Sequence, residues 1–242
     1  MIKSRQEIKA RAREAIREQR SVPILMLLCY WGVLIISGFI TLAIGLFVSL
    51  VVTLSMGVPM TGDGFPMTAR IAGGVVEYGL DAIVFLLSSV VIIGIDGACM
   101  KLYRGEKASA SEMFSGFKLF SRNILAVLWM YLFLILWTLL FIIPGIIKWL
   151  AYSATYFILA ESENVRPREA LKLSMRITQG HKGEIFLLHL SFIGWYLLGL
   201  LTCGILIIVY VGPYHYVSMA GLYIEMRDEA IASGRITAEE LE

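Results

Sequence analysis

The chain has 242 residues, 58% of them hydrophobic and only 17% charged, with a mean hydropathy of +0.75. A soluble domain carries roughly 25% charge, and here the charge is packed between long uncharged blocks, which excludes a large soluble core and points to membrane spans. The formal net charge of +2 excludes little; three cysteines, Cys29, Cys99 and Cys203, each alone in an apolar block, fit neither a zinc site nor a disulfide framework.

Residues 1–20 read as an amphipathic helix. Ile8, Ala12, Ala15 and Ile16 share one face, and Lys3, Arg5, Lys9, Arg11, Arg13, Arg17 and Arg20 supply charge. Such a helix suits the interface of an anionic leaflet; equally, its charges suit a purely topogenic role. The charged stretch is too long, and the apolar run after it much too long, for a cleavable signal peptide, so the first span is expected to stay.

Residues 22–56 carry no charge. At 1.5 Å per residue the run is about 50 Å long, against roughly 30 Å of hydrocarbon, and is read as one long, tilted or kinked helix. Residues 57–74 form the polar outer loop, with Gly57, Pro59, Gly62, Asp63, Gly64 and Pro66 as breakers. The second span is placed at 75–103, with Glu77 and Asp81 one turn apart and Asp96 nearer its other end.

Residues 101–122 are basic. Ser109 and Glu112 have capping-box spacing, and Met113, Phe114, Phe117 and Phe120 follow at helical intervals. The third span is placed at 123–143, the turn at Pro144-Gly145, and the fourth span at 146–160, with Trp149 and Tyr152 at its outer interface. Residues 161–184 form a further basic segment. Pro167 suits a helix start and Gly180 a stop; Ala170, Leu171, Ser174 and Ile177 mark one face, Arg168, Lys172, Arg176 and Gln179 the other. The fifth span is read at 185–201, the turn at Thr202-Cys203-Gly204, the sixth span at 205–226, and a polar tail at 227–242.

Counting charge tests this topology. Of 21 Lys and Arg, seven precede the first span, five lie between the second and third, five between the fourth and fifth, and two follow the sixth. Only Arg70 and Lys148 remain for the opposite side. The positive-inside rule then puts both termini in the cytoplasm. The expected fold is all-α and polytopic: one membrane domain over 1–242, six transmembrane helices as three hairpins, and amphipathic interfacial helices on the cytoplasmic side. The unit of basic helix, span, Gly- or Pro-bearing turn and returning span occurs three times.

The stretch Ile142 to Ala160, the segments Gly180-His181-Lys182, Leu190-Ser191-Phe192-Ile193-Gly194-Trp195, Thr202-Cys203-Gly204-Ile205 and Gly212-Pro213-Tyr214, and the opening Lys3-Ser4-Arg5 with Ile8-Lys9 resemble the bacterial integral membrane family catalogued as domain of unknown function 975. The resemblance covers nearly the whole chain. It implies a multi-pass protein of the bacterial cytoplasmic membrane, distantly similar to the membrane domain of some glycerophosphodiester phosphodiesterases. It supplies no activity and no catalytic residues.

Ionisable residues within spans are the default functional candidates. Asp96, His189 and His215 form a candidate intramembrane polar site. Asp96, flanked by Gly94, Gly97 and Ala98, either faces the bundle interior or lies near the inner interface, neutralised by Lys101 or Arg104. The candidate outer-leaflet site is Glu77, Asp81 and Lys148, Lys148 pairing with a carboxylate or snorkelling to headgroups. Lys9, Arg11, Arg13, Arg17, Arg20, Lys172, Arg176 and Lys182 are candidate contacts for anionic lipid.

No nucleophile elbow, phosphate loop or dinucleotide motif occurs in the sequence, and His181, Glu184 and His189 lack zincin spacing. No cofactor, metal or nucleic-acid partner is expected. The expected function is non-enzymatic, through lipid, a membrane-protein partner or a second copy of the chain; the alternative is a small transporter or channel using Asp96 and His215.

Overall fold

The computed structural model describes residues 3–57 and 64–241. Pro59, Gly62 and Asp63 of the expected loop lie outside the described residues, as do the first two residues of the expected N-terminal helix and the last of the tail. Among the described residues the chain is all-α, and six helical stretches are long and apolar enough to cross a membrane.

The helices are α1 (Arg5–Glu18), α2 (Ser21–Met56), α3 (Met67–Arg104), α4 (Phe120–Leu140), α5 (Ile142–Tyr152), α6 (Thr155–Glu161), α7 (Pro167–Ile177), α8 (Lys182–Leu201) and α9 (Gly212–Ala232), with 3-10 segments at Ala110–Leu119 and Ala238–Leu241 and a π turn at Ile207–Val211. They fall into two compact units, one of residues 29–88 and a larger one of 1–28 with 89–242.

In the smaller unit α3 begins at Met67, so residues 67–74, expected in the loop, are helical. The Thr41 hydroxyl lies 2.8 Å from the Asp81 carboxylate, and Glu77 packs over Gly45. The pair thus faces α2. Lys148, expected with them or among outer headgroups, belongs to the larger unit. There its ammonium lies over the Trp137 ring (5.1 Å) and 3.5 Å from the Met175 sulfur. Half-buried between aromatic rings and a thioether, it is held by soft contacts within the protein rather than extended to headgroups.

In the larger unit α9 is the buried helix, with residues from Gly212 to Ala230 enclosed. The apolar face of α1 packs on it: Ile8, Ala12 and Ala15 are all buried. The face expected to enter a lipid interface is therefore covered by protein. A capping box at Ser4 and Glu7 starts α1. Three of its cations make contacts within the protein. Lys9 donates to the Ser191 hydroxyl at 2.7 Å and sits 4.2 Å over Phe192. Arg11 donates to the Tyr103 carbonyl, and Arg13 to the Tyr214 hydroxyl at 2.9 Å. Burial, then Arg13 and Arg5 nearby, lower the Lys9 ammonium pKa, while the phenol hydrogen bond raises that of Arg13.

Three local expectations change. Pro144-Gly145 is not the turn. The break is Phe141, extended at φ −157° and ψ 140°, and α5 has already begun at Ile142. Proline fits there because the first turn's N–H groups have no intrahelical partner to lose. The Ser109–Glu112 pair starts a 3-10 segment that runs straight into α4, where a short α-helix was expected. The fourth apolar run is broken between Tyr152 and Thr155.

α7 seats that break. Its face of Ala170, Leu171, Ser174 and Ile177 is buried against α4, α5 and α6. The Ala151 carbonyl, in the last turn of α5, accepts from the Ser174 hydroxyl at 2.8 Å and the Thr178 hydroxyl at 3.2 Å. Those side chains satisfy an acceptor that the helix end leaves open. Replacing both, Ser174→Ala with Thr178→Val, is expected to cost about 1–3 kcal/mol, the penalty of a buried unpaired carbonyl. Chemical unfolding in mild detergent measures this, and a loss below about 0.5 kcal/mol would mean another donor takes over.

The tail is docked. Arg176 donates to the Arg235 carbonyl and pairs with Glu240 at 2.6 Å, and Ile236 is buried. The Arg176 hydrogen bond, then that of the Thr237 N–H, hold the Glu240 carboxyl below its ordinary pKa. Its contribution is present above the ordinary glutamate range and fades as pH falls through the lowered value.

Candidate functional site

Asp96, His189 and His215 lie on three different helices, α3, α8 and α9, and the fold brings them to the wall of one cavity of about 480 Å³. A chamber of that size is in the range that holds small ligands. Its depth follows from helix rise. Asp96 stands about 12 Å along α3 from Arg104, His189 about 10 Å from Lys182, and His215 about 18 Å from Arg227.

Local sequence sets His215. Pro213 has no N–H to continue the helical ladder, and its ring would clash with the carbonyl four residues back. The chain widens instead into the π turn, where the Gly212 N–H bonds the Ile207 carbonyl. Such turns recur at functional sites, and His215 projects into the chamber within the next turn.

The two histidines touch. His215 Nε2 and His189 Nδ1 are 3.0 Å apart, and the Tyr196 hydroxyl is 3.0 Å from His215 Nδ1. With both rings neutral, two tautomer sets satisfy this chain. Either Tyr196 donates to His215, which donates to His189, or every donor is reversed. Passing from one set to the other moves a proton's charge from end to end, the geometry of a proton relay. Trp149 lies against His189 (centroids 5.1 Å) and Phe192 against His215 (4.9 Å), fixing both rings.

Asp96 is 4% exposed and belongs to no ion pair among the described residues. The cations expected to neutralise it are committed elsewhere: Lys101 to Glu112 at 3.0 Å, Arg104 to Glu161 at 2.8 Å. A carboxylate within an apolar helix is costly to bury, and here the cavity is what it faces.

Sequence reasoning put Trp149 and Tyr152 in an outer aromatic belt. Both line the chamber, with Tyr156 and Tyr196, and Trp149 also keeps 46% of its surface exposed. Tyr196 was legible in principle, since it follows His189 by seven residues and so shares its helical face.

A second feature closes the basic end of this unit. The Glu161 carboxylate accepts from Arg104 at 2.8 Å and the Tyr223 hydroxyl at 2.8 Å, and pairs with Arg227. His181 Nε2 lies 2.7 Å from Glu229, and Lys3 pairs with Glu225 at 2.6 Å. Of the candidate lipid contacts, Lys9, Arg11, Arg13 and Arg176 thus have protein partners. Lys182 is half-buried, and Arg17, Arg20 and Lys172 stay exposed.

The family described as "Protein of unknown function (DUF975)" matches residues 1–149 and 141–230. No curated protein and no solved structure matches the chain. Between them the two matched stretches take in the chamber and most of the charged cluster, and the chain belongs to the DUF975 family.

Proposed function

We propose that this chain is a multi-pass protein of the bacterial cytoplasmic membrane that admits a small solute to the Asp96–His189–His215 chamber, acting as a transporter or channel and not as an enzyme. The six apolar helices would cross as three hairpins, both termini inside, as the charge bias of 19 basic residues against Arg70 and Lys148 favours. One observation carries the reading: three ionisable side chains, far apart in sequence and each costly within a span, share one cavity. Polar groups in apolar helices that face a common chamber mark solute or proton paths.

The second reading, contact of a basic collar with anionic lipid or a partner protein, has lost ground because four of its eight residues are spent on intramolecular contacts. It retains Arg17, Arg20 and Lys172, exposed on the surface.

Water access separates the two. In a background of Cys29→Ser, Cys99→Ala and Cys203→Ser, the Ser153→Cys thiol on the chamber wall should react with membrane-impermeant methanethiosulfonates in proteoliposomes. A Leu132→Cys thiol on the exposed apolar face of α4 should resist them. Equal inertness of both would mean a sealed chamber and return the function to the basic surface.

A further inference from the structure

From the chemistry of its wall we infer that the chamber takes a small organic cation, an ammonium group carried on an apolar body; this rests on the chamber reading above. The wall holds a single acidic side chain, Asp96, and no lysine or arginine. Lys148 stands outside it, over Trp137. An anion would meet a carboxylate with no counter-charge. A purely apolar guest would give Asp96 no partner and leave its burial uncompensated. A hard metal ion would want six or more oxygen ligands, and among the described residues no group of three metal-binding side chains occurs.

An organic cation answers both halves of the wall. Its charge offsets Asp96. Its methylated or alkylated head suits aromatic faces, which attract weakly hydrated cations through the ring quadrupole. Trp149, Tyr152, Tyr156 and Tyr196 supply such faces, and their hydroxyls and the indole leave most of the lining apolar. The groups able to alter the charge seen by the guest are Asp96 on α3, Tyr131 on α4, Tyr152 on α5, Tyr156 on α6, His189 and Tyr196 on α8, and His215 and Tyr216 on α9. Lys9 of α1 lies behind Phe192. Of these, Asp96 is the one carboxyl group.

The test uses the full-length Ser153→Cys protein, in the same background of Cys29→Ser, Cys99→Ala and Cys203→Ser, in proteoliposomes. Its thiol is reacted with a trimethylammonium-bearing and a sulfonate-bearing methanethiosulfonate, each rate normalised to that of a free thiol. The cationic reagent is expected to be favoured at least tenfold, and adding Asp96→Asn should bring the ratio near one. Choline should protect the thiol, while its uncharged isostere 3,3-dimethylbutan-1-ol should not. A ratio near one with Asp96 intact, or protection by the alcohol equal to that by choline, overturns the cation assignment and leaves the chamber standing. Failure of both reagents to react overturns the chamber itself. The protection comparison needs no change at Asp96, so it holds even if Asp96→Asn misfolds.

Discussion

Glu161→Ala is expected to lower the stability of the larger unit by on the order of 3 kcal/mol, the scale for removing one partner of a largely buried charge cluster. Glu161 gathers Arg104 from α3 and Arg227 and Tyr223 from α9. Without it, two guanidiniums face each other at close quarters. Arg227 has a side-chain exposure of only 15%, so water recovers little of its lost partner. Glu161→Gln keeps an acceptor for the Tyr223 hydroxyl and one for a guanidinium, and should lose less. Unfolding of the purified protein in mild detergent by denaturant, followed by helical circular dichroism, gives the comparison. A loss under about 1 kcal/mol for the alanine variant would show that solvent already screens the cluster.

Gly94→Ala is expected to destabilise by about 1–3 kcal/mol or more, although it adds one methyl group. The reason is what the methyl meets. Gly94 in α3 faces the backbone carbonyls of Met113 and Glu112, and reciprocally Gly116 faces the Val90 carbonyl. The two glycines let α3 and the 3-10 segment Ala110–Leu119 approach backbone to backbone, as small residues do between membrane helices. Backbone cannot swing aside as a flexible side chain can. The same change at Gly194, where no atom lies within 4 Å of an added carbon, should be neutral or slightly stabilising through helix propensity. Similar thermal midpoints for the two variants would sink this account. Because Asp96 follows Gly94 by two residues on α3, the Gly94 variant should also disturb the chamber.

The positions of the apolar runs were readable because membrane solvent imposes length and composition on each helix, whatever its neighbours. The 36-residue α2 was anticipated to within a residue, and all six runs appear as helices long enough to cross. Asp96, His189 and His215 could be singled out one at a time because charge inside an apolar run is costly wherever it lands. What could not be read was their meeting. That depends on how α3, α8 and α9 turn about their axes, which packing decides.

The same limit explains the errors. Aromatic residues suit a membrane interface and a ligand chamber alike, and the packing of α5 brings Trp149 and Tyr152 to the chamber wall. The amphipathic faces of α1 and α7 were correctly identified, but amphipathicity says that a face is covered and not by what. α9 covers the first, and α4, α5 and α6 the second. Lys148 could be counted on the sparsely basic side, yet its partners, Trp137 and Met175, come from two other helices, α4 and α7. The sequence by itself determined helix class, the positions of the six long apolar helices and charge asymmetry, since each follows from local composition. Tertiary structure alone decided which polar groups are paired, which wall a chamber, and which remain exposed, because those outcomes turn on side-chain direction at contacts no local pattern encodes.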